Sequence, residues 1–149
     1  MIYLIGSLRN KNIPVLANTL RSEGFDVFDD WYAPGPECDD HWRDYEKQRS
    51  RSYADAISSP HAWNVFRFDK MYLDRASTVV LVMPAGKSGH LEIGYSIGMG
   101  KTGIVFFEDG EPARWDVMYR FANHVCFTFG ELMSSLKAVE PRTKEDDDV

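Results

Sequence analysis

Residues 78–83 read Thr-Val-Val-Leu-Val-Met, an unbroken run of apolar and β-branched side chains. A strand buried on both faces, as in a parallel sheet, has this composition, whereas a half-exposed strand alternates apolar with polar residues. Residues 84–90 follow as Pro-Ala-Gly-Lys-Ser-Gly-His, which is typical of a loop. A helical stretch is predicted at about 91–99, ended by Gly100. This strand–loop–helix unit indicates an α/β fold.

The same alternation extends towards both ends of the chain. The other predicted strands are 2–5, 25–28, 103–107 and 125–127, and a turn-rich loop is predicted at 29–41. Helices are predicted between the first two strands and at about 42–57, 63–76, 112–121 and 130–137. We therefore predict one doubly wound, flavodoxin-like or Rossmann-like domain, whose five-stranded parallel sheet has the order 2-1-3-4-5.

The chain length of 149 residues suits a single domain with one buried core. We predict that residues 1–137 form this domain. Residues 138–149 include Glu-Asp-Asp-Asp at 145–148 and are predicted to form an acidic, disordered tail.

Composition narrows the function classes. The net charge of −6 and the pI of about 5.2 argue against a nucleic-acid partner, which normally needs a basic face. No window has the roughly 18–20 apolar residues of a membrane helix, and the amino terminus lacks the basic lead-in of a signal peptide. Cys38, Cys126 and the four histidines show no metal or redox spacing. We predict a cytoplasmic protein without metal or cofactor that acts on a small molecule.

In a sheet of this order, ligands bind at the carboxyl ends of the strands. The loop after the first strand contains Gly6, Ser7 and Arg9, which beside a helix amino terminus can hold a phosphate or sugar hydroxyls. A plain strand-to-helix turn capped by Ser7 explains the same residues equally well. The loop is neither a GxGxxG nor a Walker motif, so no dinucleotide or triphosphate fingerprint is present.

The loop after the third strand offers further candidates. Gly86 and Gly89 allow the backbone to approach a ligand closely, and Ser88 is predicted to cap the following helix. His90 either contacts the substrate or has a capping role. Glu92 lies in the first predicted helical turn. There it either faces the ligand site at the carboxyl ends of the strands or only interacts with the helix dipole.

Asp69 is the second candidate carboxylate. The third strand runs parallel to the first, so the helix before it has to run in the opposite direction. That helix, which contains Asp69, therefore starts at the carboxyl edge of the sheet, where the strands end. Asp69 and Glu92 are therefore expected at the same edge, whereas Asp74, more than a turn later, is expected to point away or lie lower. Two carboxyl groups beside one sugar suit glycosidic chemistry, with one attacking the anomeric carbon and the other managing protons.

The loop at 29–41 is rich in aromatic residues. Trp31, with Tyr32, His41 and Trp42 nearby, is predicted to stack on a base and to exclude water. The alternative is a surface loop held in place by its own aromatic side chains.

Over residues 1–133, the chain resembles the nucleoside 2-deoxyribosyltransferases and the related nucleoside 5′-monophosphate N-glycosidases. An insert containing Gly35-Pro36 and Asp39-Asp40-x-Trp42 is similar to the branch that hydrolyses CMP or hydroxymethyl-CMP. The stretches that carry the resemblance are Ile2–Arg9, Asp69, Ser88-Gly-His-Leu-Glu92-Ile-Gly-Tyr, Gly100-Lys101 and Met118–Asn123.

The resemblance implies a role for each matching position. Glu92 would be the nucleophile that forms a covalent ribosyl intermediate, Asp69 would assist departure of the base, and Tyr3 would position Glu92. Asn123 would reach the 5′ end of the substrate in a neighbouring subunit, which implies a homodimer or larger oligomer. Ser7 and Arg9 would hold a 5′-phosphate in the monophosphate-cleaving branch.

Several functions share this arrangement. We expect an N-glycosidase acting on a nucleoside or deoxynucleoside 5′-monophosphate, because true transferases often carry an acidic residue where this chain has Gly86. The first alternative is a 2-deoxyribosyltransferase, in which a second base replaces water. A TIR-like NAD-cleaving enzyme and a non-catalytic nucleotide sensor are the remaining alternatives.

Overall fold

The computed structural model describes residues 1–143, and it confirms the α/β fold. All five strands pair in parallel in one sheet of order β2-β1-β3-β4-β5. No helix within this described range is long and apolar enough to cross a membrane. The strands are β1 (Ile2–Ile5), β2 (Val27–Phe28), β3 (Thr78–Met83), β4 (Thr102–Phe107) and β5 (His124–Cys126). The helices are α1 (Ile13–Ser22), α2 (Cys38–Gln48), α3 (Tyr53–Ala56), α4 (Pro60–Arg75), α5 (Lys87–Gly98) and α6 (Phe129–Val139), with short 3-10 helices at Asp30–Tyr32 and Val117–Phe121.

Helices cover both faces of the sheet, so alternate residues of each central strand enter different cores. Leu4 and Val80 belong to the core that includes residues of α1 and α6. Tyr3 and Val79 belong to the core that includes residues of α4 and α5. Because neither face of β3 meets water, its run of apolar residues needs no polar alternation. The side chain of Tyr3 therefore points towards the α4 and α5 layer.

The predicted second strand is shorter than expected. We predicted residues 25–28, but β2 contains only Val27–Phe28. The Phe25 N–H donates to the carbonyl oxygen of Leu20, so Phe25 closes the end of α1 instead of extending the strand.

The first part of the segment 29–57 contains more helix than predicted. The α2 helix begins at Cys38, within the predicted loop. The helix predicted at 42–57 is divided, because Ser50 adopts a positive φ of 55° that a continuous helix cannot contain. Ser52 then caps α3 by accepting a hydrogen bond from the Asp55 N–H.

The helix predicted at 112–121 is wrong. Only the 3-10 helix Val117–Phe121 forms there, capped by Asp116. Trp115, Val117, Met118 and Phe121 are all more than 60% exposed, whereas Tyr119 packs against Phe107 of β4. This single contact buries too little apolar surface to stabilise a longer helix.

At the carboxyl end, α6 extends to Val139, so the boundary predicted at residue 137 falls within a helix. Leu136 in the last turns is fully buried, and the buried Glu140 accepts hydrogen bonds from the hydroxyls of Ser77 and Thr78. These contacts hold the first residues of the predicted tail against the sheet. The rest of that predicted tail, 144–149, lies outside the described residues.

Candidate active site

Tyr3, Asp69 and Glu92 form a cluster between β1, α4 and α5. Tyr3 is 1% exposed on β1, whereas Asp69 and Glu92 are only partly buried. The hydroxyl of Tyr3 hydrogen-bonds to the Glu92 carboxylate, and the charges of Asp69 and Glu92 interact with each other and with Tyr3. The structure thus brings together the two carboxyl groups that we placed at one edge and the tyrosine that the resemblance implied.

The local start of α5 differs from the prediction. Gly86 is the N-cap in an extended conformation, and the helix begins at Lys87. Ser88 is therefore an exposed residue of the first turn and not the cap. Glu92 lies in the second turn, which brings its side chain beside β1 instead of at the very end of the helix.

Burial raises the pKa of both carboxyl groups. The pKa of Glu92 rises to about 7, first because the group is desolvated and then because the charge of Asp69 repels its anion. The Tyr3 hydrogen bond opposes this by stabilising the Glu92 anion. The pKa of Asp69 rises to about 6 through burial. Burial, followed by the negative charges of Glu92 and Asp69, raises the pKa of Tyr3, which therefore stays a neutral donor.

Near neutral pH, the carboxyl groups of Asp69 and Glu92 can share a single proton. Between the two pKa values the proton belongs to the pair and not to either residue alone. In the form with the proton on Asp69, the Glu92 carboxylate is available to attack a carbon and the Asp69 carboxylic acid to protonate a leaving group. The higher pKa of Glu92 makes this the less populated of the two singly protonated forms. Divided acid and nucleophile roles of this kind are what glycosidic cleavage requires.

The loop after β1 is held by its own hydrogen bonds. The hydroxyl of Ser7 accepts the Arg9 N–H at 3.1 Å, and α1 has Asn12 as its N-cap. Ser7 therefore does not cap the helix. The guanidinium of Arg9 is largely exposed and lies 4.0 Å from a carboxylate oxygen of Asp40 on α2. Arg9 is thus accessible to an anion.

The three predicted site glycines have different surroundings. A Cβ atom on Gly6 would lie 2.6 Å from the Ile13 side chain, and one on Gly89 would lie 3.0 Å from Leu81. Both glycines therefore allow a helix to pack closely, Gly6 against α1 and Gly89 between α5 and the sheet. A Cβ on Gly86 would meet nothing within 4 Å. Among the three, only Gly86 leaves open space for a ligand.

A cleft of about 450 Å³ lies among the loops that follow β1, β3 and β4. Ser7, Arg9 and Gly86 line it, and so do Lys11 and Glu108. A second cleft, of about 580 Å³, lies beside β5 and α6, and none of Tyr3, Asp69 and Glu92 lines either cleft. We consider the first cleft relevant, because its walls share the loops that lead to Glu92.

Trp31 is fastened to the sheet. Its indole N–H donates to the Leu4 carbonyl oxygen at 2.6 Å, and its ring packs partly buried against both cores. That carbonyl lies beyond the reach of the short β2, whose pairing with β1 ends at Tyr3 and Phe28. Trp31 thus completes the hydrogen bonding of β1, and any stacking on a ligand would use a ring that is already held in place.

His90 connects two segments above the sheet. Its Nδ1 lies 2.7 Å from the Gly86 carbonyl oxygen, and its Nε2 lies 3.0 Å from the hydroxyl of Tyr119. Tyr119 is not among the predicted site residues, although it lies in the stretch Met118–Asn123 that carries the resemblance. His90 holds the 3-10 helix Val117–Phe121 against α5.

Asn123 lies just before β5 and is bonded to β4. Its side-chain oxygen accepts the Gly103 N–H at 2.8 Å, and its own N–H donates to the Gly103 carbonyl oxygen at 2.8 Å. Asn123 therefore links the amino end of β5 to β4 within its own chain. Its contact with a neighbouring subunit's substrate stays a prediction.

No model of a known protein family matches this chain, and no curated protein matches it in sequence. The chemistry of Tyr3, Asp69 and Glu92 is therefore the main indication of what this protein does.

Proposed function

We propose that this protein is an N-glycosidase that cleaves the base–sugar bond of a nucleoside or deoxynucleoside 5′-monophosphate. The observation that carries the proposal is the coupled pair of Glu92 and Asp69, with the Tyr3 hydroxyl donating to Glu92. A structural ion pair would join opposite charges. Two partly buried carboxyl groups that repel each other cost stability, and such an arrangement is characteristic of catalytic sites.

In the first half-reaction, the Glu92 carboxylate attacks C1′ of the sugar, and the bond from C1′ to the base nitrogen breaks. The electron pair of that bond leaves with the base, and Asp69 as an acid supplies the proton that neutralises it. The result is free base and a ribosyl ester of Glu92.

In the second half-reaction, water attacks C1′ of the ester. The Asp69 carboxylate takes the proton of that water, and the ester electrons return to Glu92. The products are free base and the sugar 5′-phosphate, and the original proton distribution is restored. Tyr3 assists both steps, because its hydrogen bond stabilises Glu92 as an anion.

The 5′-phosphate would bind in the 450 Å³ cleft, next to Ser7 and Arg9. Arg9 is available because its pairing with Asp40 is long and exposed, and such surface pairs contribute little. Lys11 adds a second positive charge to the cleft wall. These local donors have to outweigh the net charge of −6, which repels phosphate at a distance.

Chromatographic analysis of products tests the proposal. The purified protein is incubated with each common nucleoside and 5′-monophosphate, with and without a second free base. Release of base from a monophosphate without an acceptor supports the hydrolase. A new nucleoside formed only with the second base present would instead establish the transferase, which shares the first half-reaction. No turnover of any compound would contradict both, and NAD would then be the next substrate to test.

We also propose that the protein is a homodimer or a larger homo-oligomer. The resemblance implies shared sites, and large apolar side chains are exposed near the proposed site. Leu91 on α5 is 75% exposed, one residue from Glu92. Other exposed examples are Trp63 and Phe66 on α4, and Val117, Met118 and Phe121. Sedimentation velocity should give at least twice the 17.1 kDa chain mass, and Leu91→Glu should lower it. A monomeric wild-type protein would contradict this.

We also propose that the protein is cytoplasmic. Cys38 and Cys126 are both free thiols, as expected for a reducing compartment. Fractionation of cells that produce the protein would check this, and recovery from an oxidising compartment would contradict it.

A further inference from the structure

Asp69 and Glu92 belong to two neighbouring helices that run in the same direction from the carboxyl edge of the sheet. Asp69 lies on α4 and Glu92 lies on α5, and the negative charge of Asp69 raises the pKa of Glu92. The repulsion therefore pushes the two helices apart at this level. Something has to hold them together if the two groups are to share one substrate.

About one turn further along both helices, Asp74 and Tyr95 provide such a connection. The Tyr95 hydroxyl donates to one carboxylate oxygen of Asp74 at 2.7 Å, and Lys70 donates to the other at 2.6 Å. The pKa of Asp74 is lowered by these two partners, so Asp74 is ionised and the Tyr95 hydrogen bond is charge-assisted.

Lys101 makes a second connection below the first. Its ammonium group donates to the carbonyl oxygens of Asp74 at 2.6 Å and Ala76 at 2.5 Å, at the end of α4. Gly100 precedes it with a positive φ of 84°, which turns the chain out of α5 and aims Lys101 at α4. The Gly-Lys pair thus joins the ends of the two helices.

We infer that Asp74, Tyr95 and Lys101, called here the α4–α5 tie, set the separation between Asp69 and Glu92 and act as positioning residues for the reaction. The inference rests on the proposed function. Tyr95 follows Glu92 by three residues and Asp74 follows Asp69 by five, so a hydrogen bond between them fixes both carboxyl groups through rigid helical turns. None of the three touches the cluster itself in the contacts described.

Tyr95→Phe tests the tie, because it removes one hydroxyl and keeps the ring. Turnover should fall by about tenfold with KM within about twofold, since a displacement of about 1 Å can cost up to 10²-fold in rate. Asp74→Ala should act alike, whereas Asp74→Asn retains an acceptor for Tyr95 and should restore most of the rate. Tyr45→Phe is the matched control, because Tyr45 is exposed on α2 and should leave turnover unchanged.

The pKa of Glu92, followed by carboxyl-carbon NMR, gives a readout that needs no turnover. Tyr3 faces Glu92 from β1 and Asp69 faces it from α4, while β3 and β4 carry no charged side chain. His90 and Lys87 precede Glu92 on its own helix. If the tie loosens in Tyr95→Phe, water enters and Asp69 recedes, so the Glu92 pKa should move down towards the usual glutamate range.

The outcomes distinguish a failure of the α4–α5 tie from a failure of the proposed N-glycosidase function. An unchanged Glu92 pKa or an unchanged turnover in Tyr95→Phe would overturn the tie. Failure of Asp74→Asn to exceed Asp74→Ala would overturn it as well, because it would show that the Tyr95 hydrogen bond does not matter. If the wild-type protein cleaves no nucleotide, the proposed function fails, and the NMR titration still decides whether the tie positions Glu92.

Discussion

Tyr3 and Glu92 are joined by a hydrogen bond that runs from the hydroxyl of a buried tyrosine to a carboxylate on the facing helix. Tyr3 lies on β1 between two other strands, so its position is determined by the sheet and not by a loop. The donor is therefore in place before any substrate arrives. This arrangement favours the ionised form of Glu92, against the effects of burial and of Asp69.

Removing this donor should slow the reaction. In Tyr3→Phe, the ring that fills the core is kept and only the hydroxyl is lost. A hydrogen bond to a charged group contributes about 1.5–3 kcal/mol, so turnover should fall roughly 10- to 100-fold. Steady-state kinetics measures the change, and circular dichroism verifies the fold. Wild-type turnover in this variant would contradict a role for Tyr3.

Glu92→Gln should abolish turnover and stabilise the fold at the same time. The amide cannot attack C1′, whereas the loss of one charge removes the repulsion with Asp69. Product chromatography and the melting temperature at pH 8 measure the two effects. Residual turnover close to wild type would exclude Glu92 as nucleophile, and a lower melting temperature would argue against the repulsion.

Asp69→Asn should slow cleavage by roughly 10²- to 10⁴-fold if Asp69 transfers protons. A substrate whose base leaves without protonation should be cleaved nearly as fast by the variant as by the wild type. An equal loss for both kinds of substrate would instead indicate that Asp69 binds or orients the sugar.

The stability of the protein should depend on this pair between about pH 4 and pH 7. Glu92 and Asp69 have raised pKa values of about 7 and about 6 in the folded chain, so in this range the folded state binds more protons than the unfolded state. The free energy of unfolding therefore falls as the pH rises. Urea unfolding at several pH values measures this decrease. Across this range the free energy of unfolding of Glu92→Gln should decrease by on the order of 3 kcal/mol less than that of the wild type. Parallel curves for the two proteins would contradict the raised pKa of Glu92.

Arg9→Ala should distinguish phosphorylated from unphosphorylated substrates. The loss of a charge-assisted contact of about 1.5–3 kcal/mol should raise KM for a 5′-monophosphate roughly 10- to 100-fold. The KM for the matching nucleoside, which lacks the phosphate, serves as the internal control and should change little. Equal effects on both substrates would place Arg9 away from the phosphate.

The sheet and the two carboxyl groups could be predicted because they depend on strong, local patterns. The apolar run Thr78–Met83 identifies the central strand, and the direction of the parallel strands requires α4 and α5 to start at one edge. Asp69 and Glu92 follow from that geometry alone. The position of Tyr3 could not be derived in this way, because in a strand buried on both faces the sequence does not reveal which residue faces which helix layer. Only the resemblance indicated it.

The remaining features depend on contacts between distant segments. The segment predicted as a helix at 112–121 leaves most of its large apolar side chains exposed, and propensity alone does not maintain a helix. Ser88 was expected to be a cap, whereas Gly86 takes that position. The hydrogen bond between Asp74 and Tyr95 requires the relative register of two helices, which a single sequence does not contain.

The pairing of β1 with β3 has a consequence for the order of folding. Ile2 lies beside Thr78, about half the chain away, and β1 is enclosed between β2 and β3. During synthesis β1 emerges first, yet it has to wait for β3 before its backbone is paired on both sides. Contacts between residues so distant in sequence form slowly, and apolar surface stays exposed until they have formed. A nascent chain that ends before β3 therefore lacks both the partner of β1 and Glu92, so the cluster of Tyr3, Asp69 and Glu92 cannot form until β3 and α5 have been made.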